Sequence, residues 1–146
     1  MTLLCKDLSE LGSYARVDNA AYRLLKMATP GAFTFILPAT KEVPRRLSHP
    51  SRKTIGLRIP DHPVLQALLK VVGEPVIGTT VILPHEEEPL TDGWEVQNRL
   101  QKLVDAVLDG GVCGLQPTTV IDLTDDIPRL VRKVRANPLE IGISEE

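Results

Sequence analysis

The sequence predicts one α/β domain built on a mixed β-sheet with flanking helices. Three observations lead to this prediction. Short β-branched or aromatic segments alternate with amphipathic helical segments, no repeat or linker interrupts the chain, and the last two strand-like segments are joined too briefly for a crossover helix. The 146 residues are enough to bury a core without disulfides or metal. Aliphatic side chains must build that core, because aromatic residues make up only 3% of the chain.

The amino-terminal part is predicted to place two helices between two strands. The elements are a strand at residues 2–6, a short helix from Asp7 to Tyr14, a helix at residues 17–28 and a strand at residues 32–38. Asp7 and Asp18 are predicted to be N-caps, because a carboxylate accepts hydrogen bonds from the free N–H groups of a first helical turn. The apolar residues of the longer helix share one face, which predicts packing against the sheet.

The stretch RKTIGLRIPDHPVLQALL, residues 52–69, predicts a strand followed by a helix. Apolar residues alternate from Ile55 to Ile59, and a proline stops the strand. Asp61 is predicted to cap the next helix, with Pro63 in its first turn. Arg58 then lies near the carboxyl end of a strand and just before a helix, where open α/β sheets bind their ligands.

The second half of the chain is predicted to hold four more strands and one helix. They are a buried strand at residues 76–84, a helix from Asp92 to Val104 with Val96, Leu100, Leu103 and Val104 facing inward, strands at residues 104–109 and 118–123, and a last strand from Arg129 to Val134. The β-branched content of VIGTTVILP and TTVIDL favours strands over helices there.

The composition and the lengths of the apolar runs limit the classes of function that this protein can have. The content of 42% apolar and 25% charged residues is ordinary for a globular protein, and few rings are present to stack on bases. No apolar run approaches the roughly 20 residues of a membrane span. The opening residues MTLLCKDLSE do not resemble a signal peptide, because charged residues interrupt their apolar run. We therefore expect a cytoplasmic protein.

The cysteines and histidines do not predict a metal site. Cys5 and Cys113 are far apart and lack a CxxC spacing, so both are predicted to be reduced and structural. His49, His62 and His85 each stand beside a proline, and no two share a ligand spacing. We expect no metal site built by the protein.

Residues 41–58, the basic segment, carry most of the local positive charge. The cationic residues Lys41, Arg45, Arg46, Arg52, Lys53 and Arg58 stand against one carboxylate, Glu42, although the whole chain has a formal net charge of −2. Two interpretations remain open from the sequence: a solvated face that keeps the protein soluble, or a surface that binds anions.

The candidate site residues are small hydroxyl and cationic side chains near predicted strand ends. The sequence has no phosphate-binding glycine loop, no GxSxG and no HExxH. What remains is Thr29, Thr34, Arg58, Thr79, Thr80, Thr118, Thr119 and Arg132. Such residues bind anions but do not activate a nucleophile, so no catalytic side chain is predicted. Strand propensity alone would also explain the paired threonines.

Several runs in order resemble the YrdC/YciO family of threonylcarbamoyl-adenylate synthase-like proteins, and its YciO branch in particular. These runs are TLLCKDLSELGSYARVDN, TPGAFTFIL, ATKEVPRRL, RKTIGLRIPDHPVLQALL, GEPVIGTTVILP, EEPLTD and PTTVIDLTD. The resemblance implies a twisted mixed sheet with a concave, positively charged face. It also implies that residues 1–136 form a partial family domain, that residues 137–146 are a divergent tail, and that family members begin earlier, with a TDTVYGL-like motif and a KxR element.

The resemblance implies a chemistry as well. Family synthases condense L-threonine, bicarbonate and ATP, with Mg²⁺, into threonylcarbamoyl-adenylate and pyrophosphate, a nucleotidyl transfer that serves transfer RNA modification. By position, Arg58 would face the phosphates or bicarbonate, and Arg132 would match a late arginine of the family. Thr79-Thr80 would match part of an STSAN motif, and Thr118-Thr119 part of a PSTVVD motif.

Two hypotheses follow from the resemblance. The chain is either related to the synthase in activity, or it is a non-catalytic protein that binds a nucleotide or double-stranded RNA. In the second case the expected RNA contacts are Lys41, Arg45, Arg46, Arg52 and Lys53.

Overall fold

The computed structural model describes residues 1–114, 117–133 and 136–144. The strands are β1 (Thr2–Leu4), β2 (Phe33–Pro38), β3 (Thr54–Arg58), β4 (Val76–Gly78), β5 (Thr119–Asp122) and β6 (Arg129–Arg132). The helices are α1 (Leu8–Tyr14), α2 (Asn19–Ala28), α3 (Pro63–Val72) and α4 (Gly93–Leu100), and short 3₁₀ turns occur at Arg45–Leu47 and Pro138–Ile141.

The chain divides into two compact units. The first comprises Met1–Gly78 and Thr118–Glu146 and contains all six strands; the second comprises Thr79–Pro117 and contains α4. The predicted boundary between residues 136 and 137 stays a prediction.

The six strands form one mixed sheet in the order β4-β1-β3-β2-β5-β6. β1 pairs with β3 and β2 pairs with β5 in parallel, while the other three pairings are antiparallel. The antiparallel β5–β6 pair follows from the short link between them, which leaves no room for a crossover helix. The predicted mixed sheet is confirmed.

Helices α1 and α2 supply the side chains that cover one face of the sheet. Alternate residues of the central strands, such as Phe35, Leu37 and Leu57, are buried there together with Leu11 and Leu25. Each such aliphatic side chain contributes roughly 1.5–3 kcal/mol when fully buried. We call this the core face of the sheet.

The predicted helix caps in this part of the chain are confirmed. The Asp7 carboxylate accepts the Glu10 N–H at 2.9 Å, and the Asp18 carboxylate accepts the Ala21 N–H at 2.8 Å. These caps satisfy N–H groups that have no partner within the helix. The helices therefore begin where the sequence indicates.

The two cysteines differ in their surroundings. Both are free thiols. Cys5 is fully buried in the core, and burial, followed by the nearby Glu10 and Asp7 carboxylates, raises the pKa of its thiol to about 12. Cys113 is exposed, so the prediction that it is structural is wrong: its thiol is not part of a core.

The start of α3 differs from the prediction. The N-cap is His62, which makes no capping hydrogen bond through its side chain, rather than Asp61. Pro63 is the first helical residue, and a proline forces the residue before it into an extended conformation. His62 is therefore the N-cap residue, and Asp61 lies one residue too early in the chain to cap α3.

The strand predicted at residues 76–84 is much shorter in the structure. β4 contains three residues, none of them buried, and residues 79–84 are not strand. β4 pairs only with β1, and the last pair joins Gly78 to Thr2. None of residues 79–84 is buried, so packing does not favour a strand there.

The second unit departs most from the prediction. Helix α4 ends at Leu100 rather than at Val104, and Leu103 and Val104 are exposed rather than inward-facing. Residues 104–109 form turn and loop instead of a strand, and the Asp109 side chain accepts the Gly111 N–H in a turn. None of the described residues 79–114 and 117 is buried. Tertiary packing therefore does not stabilise a longer helix or an additional strand there.

Two further predictions concern the last strand and the length of the helices. β6 ends at Arg132, and Val134, the predicted last strand residue, lies outside the described residues. α2 and α3, with ten residues each, are well short of the roughly 20 that span a bilayer. In the part of the chain that the structure describes, no helix has the length and apolar character to cross a membrane.

Candidate anion-binding site

The face of the sheet opposite the core carries polar residues at the centre of the fold. Side chains alternate along a strand, so Thr34 and Ile36 of β2 share this second face with Gly56 and Arg58 of β3. Thr34 is buried, and the other three are half-buried. The second face therefore presents accessible polar chemistry on rigid strands.

Arg58 is the last residue of β3, where the strand gives way to the segment leading into α3. Its carbonyl oxygen accepts the Cys5 N–H at 2.8 Å, which fixes the backbone against β1. β3 pairs with β2 through Phe35–Leu57 and Ile36–Gly56, and one further step of this register brings Arg58 opposite Thr34. The predicted position at a strand end is confirmed.

Thr34 and Thr118 are joined through their hydroxyl groups. The two Oγ1 atoms lie 2.6 Å apart, and the residues are only 8% and 9% exposed. A buried hydroxyl needs a partner, and each satisfies the other. The pair ties the beginning of β2 to the residue before β5, and it places both threonines in the floor of the second face.

Arg132 of β6 is oriented by the same threonine. Its Nε and Nη2 atoms donate to the Thr118 carbonyl oxygen at 3.2 and 2.9 Å. Arg58, Thr34, Thr118 and Arg132 thus follow one another across neighbouring strands at one end of the sheet. We call these four residues the polar row.

Asp122 lies at the other end of β5 and has a structural role. Its Oδ1 accepts the N–H and hydroxyl of Thr124, and its Oδ2 accepts Nη2 of Arg129 at 3.1 Å. Burial alone would raise the pKa of this carboxyl, but the hydrogen bonds from Thr124 and Arg129 together outweigh burial and lower the pKa. The ionised carboxylate therefore holds β5 to β6 and so supports Arg132.

The other predicted site threonines lie elsewhere. Thr119 faces the core, is fully buried, and exchanges two hydrogen bonds between its hydroxyl and the backbone of Ala136. It therefore has a structural role, and its predicted ligand contact stays a prediction. Thr29 donates its hydroxyl to the Leu25 carbonyl at the end of α2. Thr79 and Thr80 are exposed residues of the second unit.

The part of the basic segment before β3, residues 41–53, lies in the connection between β2 and β3. Its five cationic residues before β3 are all exposed; they are Lys41, Arg45, Arg46, Arg52 and Lys53. Buried Val43 anchors the loop, and Nδ1 of His49 accepts the N–H groups of Ser51 and Arg52 at 3.3 and 3.1 Å. These residues form a loop with a short 3₁₀ turn at Arg45–Leu47, and the backbone hydrogen bonds hold the loop that carries the charges.

Two surface cavities of about 350 Å³ each occur in the first unit away from the polar row. One is lined by Lys6 together with Asp7, Glu10 and Glu74, and the other by Arg16 together with Asp18, Asp125 and Asp126. Carboxylates outnumber cations in both, which disfavours an anionic ligand there. The polar row has two guanidinium groups and no carboxylate, so an anion fits it better.

The polar row is suited to binding rather than to covalent catalysis. Arginine presents a fork of donors that matches phosphate or carboxylate, and threonine hydroxyls add neutral contacts. None of the four residues is a general base or an activated nucleophile. A reaction that depends on positioning and charge neutralisation is compatible with such a site.

The sequence points directly to three members of the polar row, Arg58, Thr118 and Arg132. In the sequence, Thr34 is marked only by its hydroxyl group and by the nearby Pro30 and Gly31. Its partnership with Thr118 depends on the parallel pairing of β2 with β5, for which the sequence carries no local signal.

The fold is an α/β domain whose mixed sheet carries the polar row on one face. The sequence model of the Sua5/YciO/YrdC family, described as "Telomere recombination", matches residues 1–134. The chain therefore belongs to the Sua5/YciO/YrdC family, as the resemblance indicated.

The chain is strongly similar to YciO of Escherichia coli strain K12. The two sequences are 55% identical over 132 residues, which are 90% of this chain and 64% of the relative. The crystal structure of E. coli YciO superposes with a TM-score of 0.88 at 52% identity, over 96% of this chain and 68% of that chain. The chain thus spans about two-thirds of this relative's length.

Two synthase relatives are more distant. Threonylcarbamoyl-AMP synthase of Bacillus subtilis strain 168 is 33% identical over 128 residues, 86% of this chain and 37% of that protein. The crystal structure of P. abyssi Sua5 complexed with L-threonine has a TM-score of 0.80 at 25% identity, over 91% of this chain and 40% of that chain. The relatives of this chain therefore include a protein named as a threonylcarbamoyl-AMP synthase.

Asp122→Asn tests the support of β5 and β6. The lowered pKa means that the native state favours the ionised carboxylate, so Asp122 contributes stability above its ordinary pKa of 3.8 and loses that contribution as the pH falls through the lowered value. At pH 7 we expect the variant to lose about 1–3 kcal/mol of unfolding free energy, and the loss should shrink in acid. Urea unfolding at several pH values measures both.

The matched control is Asp126→Asn, which changes an exposed carboxylate in the link between β5 and β6. It should alter stability by less than about 0.5 kcal/mol at any of these pH values. Equal effects of the two substitutions at pH 7 would contradict the role given to Asp122.

Proposed function

We propose that this chain binds ATP on the second face of the sheet, as part of a protein related in activity to threonylcarbamoyl-AMP synthase. The observation that carries the proposal is the polar row, in which two arginines flank a buried pair of threonine hydroxyls. Phosphate is the anion that such a set of charged and neutral donors recognises well.

The reaction class follows from the relatives. Threonylcarbamoyl-AMP synthases are named for a product that joins a threonylcarbamoyl group to AMP, and the P. abyssi Sua5 structure contains L-threonine. We propose L-threonine, bicarbonate and ATP with Mg²⁺ as the substrates of the complete protein, with release of pyrophosphate. The product would serve threonylcarbamoyladenosine formation in transfer RNA.

Each member of the polar row has a distinct role in this proposal. Arg58, half-buried at a strand end, contacts the phosphates. Thr118 and Thr34 supply hydroxyls in the floor, and Arg132 holds the Thr118 carbonyl while adding positive charge. Charge neutralisation and positioning are what nucleotidyl transfer requires from a protein, so the absence of a nucleophile from this row is compatible with the reaction.

We also propose a cytoplasmic location. The two thiols Cys5 and Cys113 are both free, as is usual for proteins in a reducing compartment. ATP and transfer RNA are available in the same compartment.

Arg58→Ala tests the proposed ATP contact. Loss of a sheltered, charge-assisted contact should weaken ATP binding by roughly 1.5–3 kcal/mol, about ten- to a hundredfold in Kd. Arg58→Lys should recover only part of the affinity, because an ammonium keeps the charge but lacks the fork. Calorimetric titration with ATP and Mg²⁺ measures the affinities, and thermal melts check that each variant is folded.

Arg52→Ala is the matched control, since it removes an exposed arginine of the preceding loop. Its ATP affinity should equal that of the wild type. A folded Arg58→Ala protein that binds ATP as tightly as the wild type would show that Arg58 is outside the site.

A second candidate function, binding of transfer RNA or double-stranded RNA without turnover, is favoured by the basic segment. Five exposed cations on an ordered loop form a surface that can contact phosphates without reading sequence. On this interpretation the loop contributes affinity, and the RNA is recognised by its shape and charge.

The double substitution Arg45→Gln with Arg46→Gln tests the RNA candidate. Phosphate contacts release counterions, so binding should weaken steeply with salt, and the double variant should lower the log–log salt slope by roughly 1 for each phosphate that the loop no longer neutralises. Fluorescence anisotropy with a labelled RNA duplex at several salt concentrations gives the slopes. Arg23→Gln with Lys26→Gln, two exposed cations of α2, is the control, and identical slopes for both double variants would exclude the basic segment as the RNA surface.

A further inference from the structure

A shift in the register of β6 determines where Arg132 lies. Leu130 pairs with Ile121, but the preceding residue of β5, Val120, pairs with Arg132 rather than with Val131. Two residues of β6, Val131 and Arg132, therefore stand opposite one residue of β5, which is the arrangement of a β-bulge. A bulge bends its strand and changes the direction in which a side chain points.

The bulge places Arg132 on the second face of the sheet. Leu130 packs against the core, and regular alternation would place Arg132, two residues later, on the core face as well. Val120 shares the second face with Thr34, its partner in β2, and Arg132 shares that face as the partner of Val120. There Arg132 donates two hydrogen bonds to the Thr118 carbonyl oxygen. The second guanidinium group of the polar row therefore depends on the bulge.

The segment that follows Arg132 is fastened to Thr119, the neighbour of Thr118 in the sequence. The Thr119 hydroxyl donates to the Ala136 carbonyl oxygen at 2.8 Å and accepts the Ala136 N–H at 3.0 Å. Thr119 is fully buried and Ala136 packs against the core, so loss of the hydroxyl would take these partners from backbone groups in the interior. We call this pair of hydrogen bonds the threonine clamp.

The threonine clamp and a regular register of β6 exclude each other. If β6 continued from Leu130 without a bulge, Arg132 would stand opposite Thr119. Its side chain would then lie on the core face beside the Thr119 hydroxyl, where Ala136 makes its two hydrogen bonds. As long as Ala136 occupies that hydroxyl, Arg132 remains opposite Val120, in the bulge.

We infer that Thr119 is a positioning residue of the proposed ATP site, which acts through the threonine clamp: the clamp maintains the bulge, and the bulge directs the Arg132 guanidinium to the second face. Thr118 holds that guanidinium by its carbonyl oxygen, and Thr119 holds the chain behind it by its hydroxyl. The inference rests on the proposed function for the identity of the ligand, and it adds a buried residue that controls the site without touching the ligand.

Thr119→Val tests the inference, because it removes the hydroxyl and keeps the β-branched shape. In the protein without ligand, NMR of the Arg132 Nε–H reports on the guanidinium directly. Thr119→Val should speed the exchange of this hydrogen with solvent by about tenfold, which corresponds to the loss of one hydrogen bond, whereas Thr119→Ser should exchange like the wild type. Thr40→Val, which removes a hydroxyl bonded to the Ser13 carbonyl oxygen, is the matched control and should leave the Arg132 signal unchanged.

Calorimetric titration with ATP and Mg²⁺ gives the consequence for binding. Thr119→Val should weaken ATP binding by about tenfold, and Thr119→Ser should bind ATP like the wild type. In an Arg132→Ala background Thr119→Val should have no further effect, because no guanidinium is left to position. In an Arg58→Ala background it should weaken binding by the same factor as in the wild type, since the clamp does not hold Arg58. A residue with only a structural role would lower the melting temperature and leave these affinities unchanged.

The two measurements separate this inference from the proposed function. A wild type that does not bind ATP overturns the proposed function, and the exchange of the Arg132 Nε–H then still decides whether Thr119 positions Arg132. An unchanged Arg132 signal in a folded Thr119→Val protein, or an equal loss of ATP affinity from Thr119→Val with and without Arg132, overturns the inference alone.

Native-state hydrogen exchange of the wild type decides the case in which thermal melts show that Thr119→Val does not fold. The Ala136 N–H and the Arg132 Nε–H should then open with one common dependence on urea, because the clamp holds both. Different dependences overturn the inference.

Discussion

The antiparallel register between β2 and β3 is the constraint on which the rest of the structure depends. It places Phe35 beside Leu57 on the core face and Ile36 beside Gly56 on the second face. Because side chains alternate, a slip of one residue would turn Phe35 towards the second face and Thr34 towards the core. The burial of the aromatic and aliphatic residues thus determines the face of the sheet on which Arg58 lies.

The two faces of the sheet differ in chemical character. The core face is packed by aliphatic side chains from α1 and α2, and it makes the sheet rigid. The second face carries the polar row, in which Thr118 is hydrogen-bonded to Thr34 and to Arg132. Side chains that strands and hydrogen bonds hold in this way keep their mutual geometry better than side chains on loops alone. The same sheet is shared with E. coli YciO, whose crystal structure superposes closely on the chain.

The fold was predictable where local signals and tertiary packing agree. The aspartate cap and apolar face of α2, the alternation in β2 and β3, and the strand–proline–helix pattern around Arg58 each specify an element and also the side that it buries. The second unit was not predictable, because none of its described residues is buried and propensity alone assigned a strand to residues 104–109 and too long a helix to α4. Strands and helix ends there depend on partners that a local pattern does not encode.

The site was predictable only in part for a related reason. Thr118 and Thr119 are identical in type, and their one-residue offset sends the first to the polar row and the second to the core. The Thr34–Thr118 pair spans 84 residues of sequence and requires the parallel β2–β5 register.

The most direct test of the central claim is an amide-resolved NMR titration of the labelled protein with ATP and Mg²⁺. If the second face of the sheet is the nucleotide site, the amides of Thr34, Gly56 and Thr118 shift together along one saturation curve, and the amides of the exposed loop at residues 41–53 do not follow it. Saturable shifts confined to that loop, with the three sheet amides unchanged, would contradict the account.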